Sequence, residues 1–145
     1  MIYTVPENMA YVIERKGAFH TVATAGRLVL MPFIDKIANK VLLTEQTMEI
    51  LAQPMISWEN QTSIVSSHIT YKVTSPQAYT YGVANAPKAI EYLVITTMRN
   101  LFGDLRKPEM VSKHTELRNK ILAIITDASK TWGVEVLDMD YQIVN

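Results

Sequence analysis

Apolar and polar residues alternate along the first half of the chain and fall at helical spacing along the second. The clearest alternation spans residues 63–73. Val65, Ser67, Ile69, Tyr71 and Val73 share one face, and Ile64, Ser66, His68, Thr70 and Lys72 the other. Period two with β-branched and aromatic side chains predicts a strand whose polar face meets solvent or a partner. Upstream, residues 10–15 and 19–24 predict two strands paired across Lys16-Gly17-Ala18. Residues 28–31, Leu-Val-Leu-Met, are apolar on both faces and predict a buried strand. Pro32 ends its ladder or sits at an edge. Residues 36–43 and 47–51 continue the sheet, with Met48 and Ile50 alternating against Thr47 and Glu49.

The second half predicts helices. Asn85 is a favourable N-cap, and Pro87 sits in the first turn, where its missing N–H costs little. Ile90, Leu93, Val94, Thr97 and Leu101 then follow one helical face, and Gly103 predicts its end. Pro108 can open a short turn of helix. Leu117, Ile121, Ile124, Ile125, Ala128 and Trp132 predict a second amphipathic helix closed by Gly133. From Val134 the pattern returns to strand. Val134 and Val136 share one parity, while Leu137, Met139, Tyr141 and Ile143 share the other, which predicts a bulge or a change of neighbour after Val136. Strands, then helices, then one returning strand predict an α+β domain. There is no internal repeat, low-complexity tract or linker.

Composition narrows the function classes. At 145 residues, nearly half of them apolar, the chain suits one domain with a real core. Fourteen basic and fourteen acidic residues cancel, so no net field steers it onto nucleic acid or an anionic bilayer. The absence of cysteine excludes disulfides and thiolate chemistry. No stretch approaches the ~20 apolar residues that cross a bilayer, and Met1-Ile2-Tyr3-Thr4 is too short for a signal peptide. The chain as given is expected to be soluble.

No constellation points to catalysis. His20, His68 and His114 are far apart and lack a second ligand at metal spacing, so they read as scattered surface or edge histidines. No nucleophile elbow, phosphate loop or dinucleotide fingerprint is present. Ser67 and His68 are neighbours on a predicted strand, and neighbours point to opposite faces, so they cannot pair directly. Asp138 and Asp140 share a strand face. They read as a solvated or edge-protecting pair before an acid–base one. Arg99, Arg106, Lys107, Lys113, Arg118 and Lys120 are interrupted by Asp104, Glu109 and Glu116, which favours a solvated helix face over nucleic-acid binding. Trp132 reads as a core anchor. Trp58, in the loop-like Ser57-Trp58-Glu59-Asn60, reads as a half-buried loop aromatic or a contact for a membrane interface or partner.

Several segments, in order, resemble one family. They are Val12-Ile13-Glu14-Arg15-Lys16-Gly17-Ala18-Phe19, Pro32-Phe33-Ile34-Asp35, Glu59-Asn60, Tyr71-Lys72-Val73 with Pro76, and Tyr81-Gly82-Val83. Thr96-Thr97-Met98-Arg99-Asn100-Leu101-Phe102-Gly103 and the stretch ending in Trp132-Gly133-Val134 complete the set. Together they resemble the stomatin/prohibitin/flotillin (SPFH, or band 7) domain, nearest its stomatin-like branch, over almost the whole chain. Departures are Ala25-Gly26-Arg27-Leu28 where the family usually shows Pro-Gly-Leu, Ser66-Ser67 for an Asp-Gly pair, the sparsely charged Lys113-His114-Thr115-Glu116, and Asp138 where a basic residue is frequent.

The resemblance implies an α+β domain with a curved, mostly antiparallel sheet, two main helices and a returning C-terminal strand, occupying residues 1–145. It implies a longer, membrane-associated parent with an upstream hydrophobic anchor and a downstream coiled coil. It implies a scaffold that self-associates into rings or cages, contacts membrane lipids and organises microdomains, or regulates a membrane protease or channel. It carries over no catalytic, cofactor-binding or metal residue, no cofactor and no nucleic-acid partner. The alternative reading is an adaptor or regulatory domain of the same fold working without an anchor. A hydrolase using Ser67, His68 or His114 is the least favoured reading.

Overall fold

A computed structural model describes residues 2–144; Met1 and Asn145 lie outside the described residues. The elements run β1 (Ile2–Val5), β2 (Met9–Arg15), β3 (Ala18–Ala23), β4 (Gly26–Val29), β5 (Asp35–Leu42), β6 (Gln46–Ile56) and β7 (Thr62–Val73). Helices α1 (Pro76–Tyr81), α2 (Ala86–Phe102), α3 (Lys107–Ser112) and α4 (His114–Ser129) follow. A 3-10 turn (Lys130–Trp132) leads into β8 (Val134–Ile143). The chain is α+β, and its pairing is antiparallel. The strands divide into a β1–β4 ribbon, a β3–β2–β5 sheet and a β6–β7–β8 sheet.

The β6–β7–β8 sheet and its helices hold the main core. Strand β7 alternates as its sequence requires, with Val65, Ser67, Ile69, Tyr71 and Val73 buried. Over that face α2 lays Ile90, Val94, Met98 and Phe102, and α4 lays Leu117, Ile121 and Ile125. Asn85 caps α2 by accepting from the Lys88 N–H at 3.2 Å. Ile124, read as part of the buried stripe of α4, is instead 44% exposed. A helix lying on a sheet buries only a stripe, and Ile121 and Ile125 already fill it. Leu93 and Leu101 sit half-buried at the stripe's margin. Gly103 does follow α2, but in right-handed geometry, without the left-handed turn that makes glycine necessary.

The phase change in β8 is a bulge. Thr70 opposes Asp138 and Tyr71 opposes Val136, so Leu137 is the extra residue. It lets Val134, Val136, Met139 and Tyr141 all point inward despite their mismatched parity. Strand β6 outruns its expected bounds, shifting register between Ile50 and Gln53 and continuing through Pro54 to Ile56. It is an edge strand, where a missing N–H is tolerated.

Strand β2 is buried on both sides. Tyr11 and Ile13 meet Val5 and Leu30 under the ribbon, while Val12 meets Val41 and Val73 toward the main sheet. The short helix α1, which the periodicity missed, bridges these units. Its start is nonetheless written in the chain: Ser75 Oγ accepts from the Ala78 N–H at 3.3 Å, and Pro76 occupies the first turn. Tyr81 Oη donates to Glu14 at 2.6 Å, and Asn39 donates to Thr80 Oγ1 at 3.1 Å. Burial and then the Glu14 carboxylate push the Tyr81 hydroxyl up to about 12. Gly133 (φ 69°) anchors the other end of α1, accepting from the Thr74 and Ser75 N–H groups at 2.8 and 3.1 Å. A Cβ at Gly133 would lie 2.3 Å from the Ser75 carbonyl oxygen.

The run at residues 28–31 departs most from expectation. It is not a buried strand. Strand β4 ends at Val29 in the two-stranded ribbon with β1, and only Leu30 is buried. Val29 is 69% exposed and Met31 51%. A ribbon covered on one side buries one parity of an apolar run and presents the other.

Candidate functional site

Four exposed apolar residues, Ile2, Val29, Met31 and Phe33, lie on the β1–β4 ribbon and the loop after it, while others such as Leu51, Trp58, Tyr92 and Val111 are scattered over the remaining elements. Strand β2 turns at Lys16 and Gly17, both with positive φ, and the Lys16 N–H donates to the Ile34 carbonyl at 2.7 Å. This joins the β2–β3 turn to the loop between β4 and β5, residues 30–34. Arg15 grips the same loop. Its Nε and Nη2 donate to the two carboxylate oxygens of Asp35 at 2.6 and 3.0 Å. Asp35 Oδ2 also accepts from the Met31 N–H at 3.0 Å, and the Asp35 N–H donates to the Met31 carbonyl at 3.1 Å. The Arg15 hydrogen bonds first, and the Met31 N–H second, hold the Asp35 carboxyl down at about 2, against a smaller opposing effect of desolvation. The carboxylate therefore stays charged and the loop stays closed across ordinary pH.

Phe33 stands at the tip of this stapled loop with φ 73°, its side chain fully exposed at 105%. A bulky residue in left-handed backbone costs about 1–2 kcal/mol. It persists only where the surroundings fix it, and here the Arg15–Asp35 fork does so. Met31 and Pro32 flank the tip, and Ile2 and Val29, directly paired across the ribbon, extend its apolar surface. Behind it lies an open, mostly apolar concavity of about 540 Å³ bounded by Tyr3, Leu30, Ile37 and the tip itself. Periodicity alone gave no sign that Phe33 would face outward. Pro32 beside an aromatic and an acid, after a run too short to be covered twice, is the signal that was available.

The remaining candidates are not brought together. Ser67 is buried on the core face of β7, and His68 is exposed on the other, so no nucleophile–base pair forms. His20 is exposed near the β3 start. His114 opens α4, its Nε2 2.8 Å from Asp140 Oδ1 and 3.1 Å from the Tyr141 carbonyl oxygen, its ring 4.6 Å from that of Tyr141. No three potential ligands converge on a metal position among the described residues.

Asp138 and Asp140 act on the edge of the sheet. Each Oδ1 accepts the next residue's backbone N–H, from Met139 and from Tyr141, both at 2.9 Å. Arg118 holds the Asp138 carboxylate, as His114 does that of Asp140. The helical cations are spent similarly, with Lys113 3.1 Å from Glu109 and Lys120 3.4 Å from Glu116. Trp132 packs against the main core. Trp58 is exposed, but its turn is fastened to the α2–α3 connection. Its N–H donates to the Leu105 carbonyl at 2.7 Å, Glu59 accepts from the Lys107 N–H at 2.8 Å, and the Arg106 guanidinium lies 5.8 Å from its ring centre.

The geometry offers a contact surface on a rigid loop. Comparison with known proteins identifies the family. A model of the SPFH domain / Band 7 family matches residues 3–144. The chain belongs to the SPFH/Band 7 family. Stomatin-like protein 2, mitochondrial, of Rattus norvegicus is 29% identical over 137 residues, covering 94% of this chain and 39% of its own length. An uncharacterized Schizosaccharomyces pombe protein is 35% identical over the same length and shares. One from Mycobacterium tuberculosis is 27% identical over 141 residues, 97% of this chain and 37% of its own. The chain thus spans about two-fifths of these relatives. SPFH domains make up a family of membrane-associated, generally non-enzymatic scaffolds, and within the described residues no helix is long and apolar enough to cross a membrane.

Proposed function

We propose that this SPFH domain is the contact-making part of a longer membrane-associated scaffold. In that scaffold it self-associates and organises lipids or regulates a membrane protease or channel. One observation carries the reading. Many charged groups are engaged in structural pairs such as Arg15–Asp35, Arg118–Asp138 and His114–Asp140, the histidines and acids do not converge on one point, and Ile2, Val29, Met31 and Phe33 stand outside the core on the ribbon and its loop. That arrangement suits adhesion, since catalysis needs free groups converging on one point. The family of membrane scaffolds supports it.

Fractionation of cells expressing the parent protein, with chemical cross-linking of the membrane fraction, tests this reading. Recovery in membranes with a cross-linked series of several subunits is expected. Quantitative recovery in the soluble fraction, with clients still bound, would favour the anchor-free adaptor instead. The 145-residue chain alone is expected to be monomeric or weakly associated, because a reinforcing coiled coil lies outside it. A stable large oligomer in sedimentation would contradict that.

A further inference from the structure

We propose that the rim of β6 and the turn after it bind an extended acidic segment of a partner protein, one that carries apolar residues between carboxylates set apart. Arg99 and Arg106 receive the carboxylates, and Ile56 and Trp58 receive the apolar side chains. The inference rests on the contact-making role above and names the chemistry of one partner.

Three observations point to such a partner. First, one pairing of groups occurs twice along this rim. A mostly apolar concavity of about 370 Å³ is bounded by Pro54, Ile56, Thr62 and Arg99, and a second of about 250 Å³ by Trp58, Asp104, Arg106 and Glu109. Each sets one exposed apolar side chain, Ile56 at 56% or Trp58 at 66%, beside one arginine. Trp and Arg are the residues most enriched where binding energy concentrates. Second, the arginines are free while neighbouring acids are engaged. Neither guanidinium is in an ion pair among the described residues, and Arg99 donates weakly to the Gln53 side-chain oxygen at 3.4 Å. Glu109 accepts from the Arg106 N–H at 3.1 Å and lies 3.1 Å from the Lys113 amine, and Glu59 accepts from the Lys107 N–H. Two unpaired cations beside two apolar anchors complement carboxylates beside apolar side chains. Third, the spacing selects an extended segment. Gln53, which Arg99 touches, and Trp58, which Arg106 covers, are five positions apart, at most about 16 Å at the rise of a strand. Asp104 also lines the second concavity and repels a run of consecutive acids, so carboxylates set apart are favoured. The register shift between Ile50 and Gln53, followed by Pro54, interrupts the backbone rim, so side chains do the recognising.

The turn presents Trp58 in a fixed pose. The Ser57 N–H donates to the Gln61 carbonyl at 2.9 Å, the Gln61 N–H to Ser57 Oγ at 3.2 Å, and the Trp58 N–H to the Leu105 carbonyl. The Arg106 guanidinium lies over the indole, 5.8 Å from its centre, which leaves its N–H fork for a carboxylate. Binding therefore orders little of this surface.

The test selects binders to the 145-residue chain from a displayed library of random decapeptides and measures the selected peptides by fluorescence anisotropy. They should share two Asp or Glu residues separated by apolar ones. Trp58→Ala should weaken their binding about thirtyfold or more, the mark of a residue on which an interface depends. Arg99→Ala and Arg106→Ala should each weaken it about tenfold. Arg106→Lys should not restore it, because an ammonium lacks the planar fork. Lys120→Ala on α4 should leave it unchanged. Added salt should weaken binding to the wild-type chain more than binding to the arginine variants. The arginine variants should melt as the wild type does, and they carry the test if Trp58→Ala loosens the turn. A library that yields no shared motif, a motif rich in Lys and Arg, or selected peptides that bind the Arg99→Ala, Arg106→Ala double variant at full strength would overturn the proposal. So would loss of peptide-free self-association in Trp58→Ala, which would assign the rim to a second copy of the chain. Recovery of the parent protein in membranes as a cross-linked series would stand through any of these failures.

Discussion

The two ends of this molecule put apolar residues to opposite uses. On the β6–β7–β8 sheet, Ile69, Met139, Met98 and Ile121 are fully buried beneath α2 and α4. On the β1–β4 ribbon and the loop after it, Ile2, Val29, Met31 and Phe33 face outward. The residue types are similar. What differs is cover. The main sheet has helices along one face, whereas the ribbon has a single small cluster around Val5, Tyr11, Ile13 and Leu30 to close over. Hydrophobicity thus builds stability at one end and a surface at the other.

Substitutions can break or sharpen this contrast. Ile121→Ala removes a fully buried side chain and should cost about 2–5 kcal/mol; chemical denaturation reads it directly. Its neighbour Ile124, 44% exposed, should lose under about 1 kcal/mol on the same change, and equal losses would move the helix face. Gly133→Ala meets both a left-handed φ of 69° and the Ser75 carbonyl. It should cost about 1–3 kcal/mol from backbone strain alone, with added loosening of α1 visible in hydrogen exchange. At the tip the sign reverses. Phe33→Gly relieves a strained φ of 73°, so it should be neutral or stabilising by up to about 1 kcal/mol, read by chemical denaturation. A core-like loss there would mean that Phe33 supports the fold.

Acid offers the finest probe. The Asp35 carboxyl is depressed to about 2 in the folded chain, from an ordinary value of 3.8. Its contribution is therefore complete above pH about 4 and is lost as pH falls through about 2. Hydrogen exchange at Met31, whose N–H donates to Asp35, should accelerate within that window in the native chain. In Asp35→Asn the acceleration should be missing, and exchange should be fast throughout.

Much of this fold could be read from the chain because burial on one face imposes a period. The alternation of β7, the stripe of α4 around Ile121 and the parity change at Leu137 all follow from a sheet covered on one side. The run at residues 28–31 misled because continuous apolarity says that water is avoided, not by what means. A strand covered on both faces and a ribbon covered on one can leave the same mark in sequence. Helix α1 was missed for a different reason: with six residues it is too short to show a period, so Ser75 and Pro76 carry its signal alone. The staple was the least legible part. Arg15 and Asp35 are twenty residues apart, and only the pairing of β2 with β5 makes them opposite neighbours.

The carboxylates of Asp138 and Asp140 have one more consequence. By occupying the backbone N–H groups of Met139 and Tyr141, they leave the outer rim of β8 with little to offer an incoming chain. Pro54 leaves the opposite rim one donor short. Copies of this domain crowded together are thereby discouraged from stitching their backbones into an endless ribbon. A neighbour meeting these rims must be chosen by the shape and charge of side chains, not by backbone pairing.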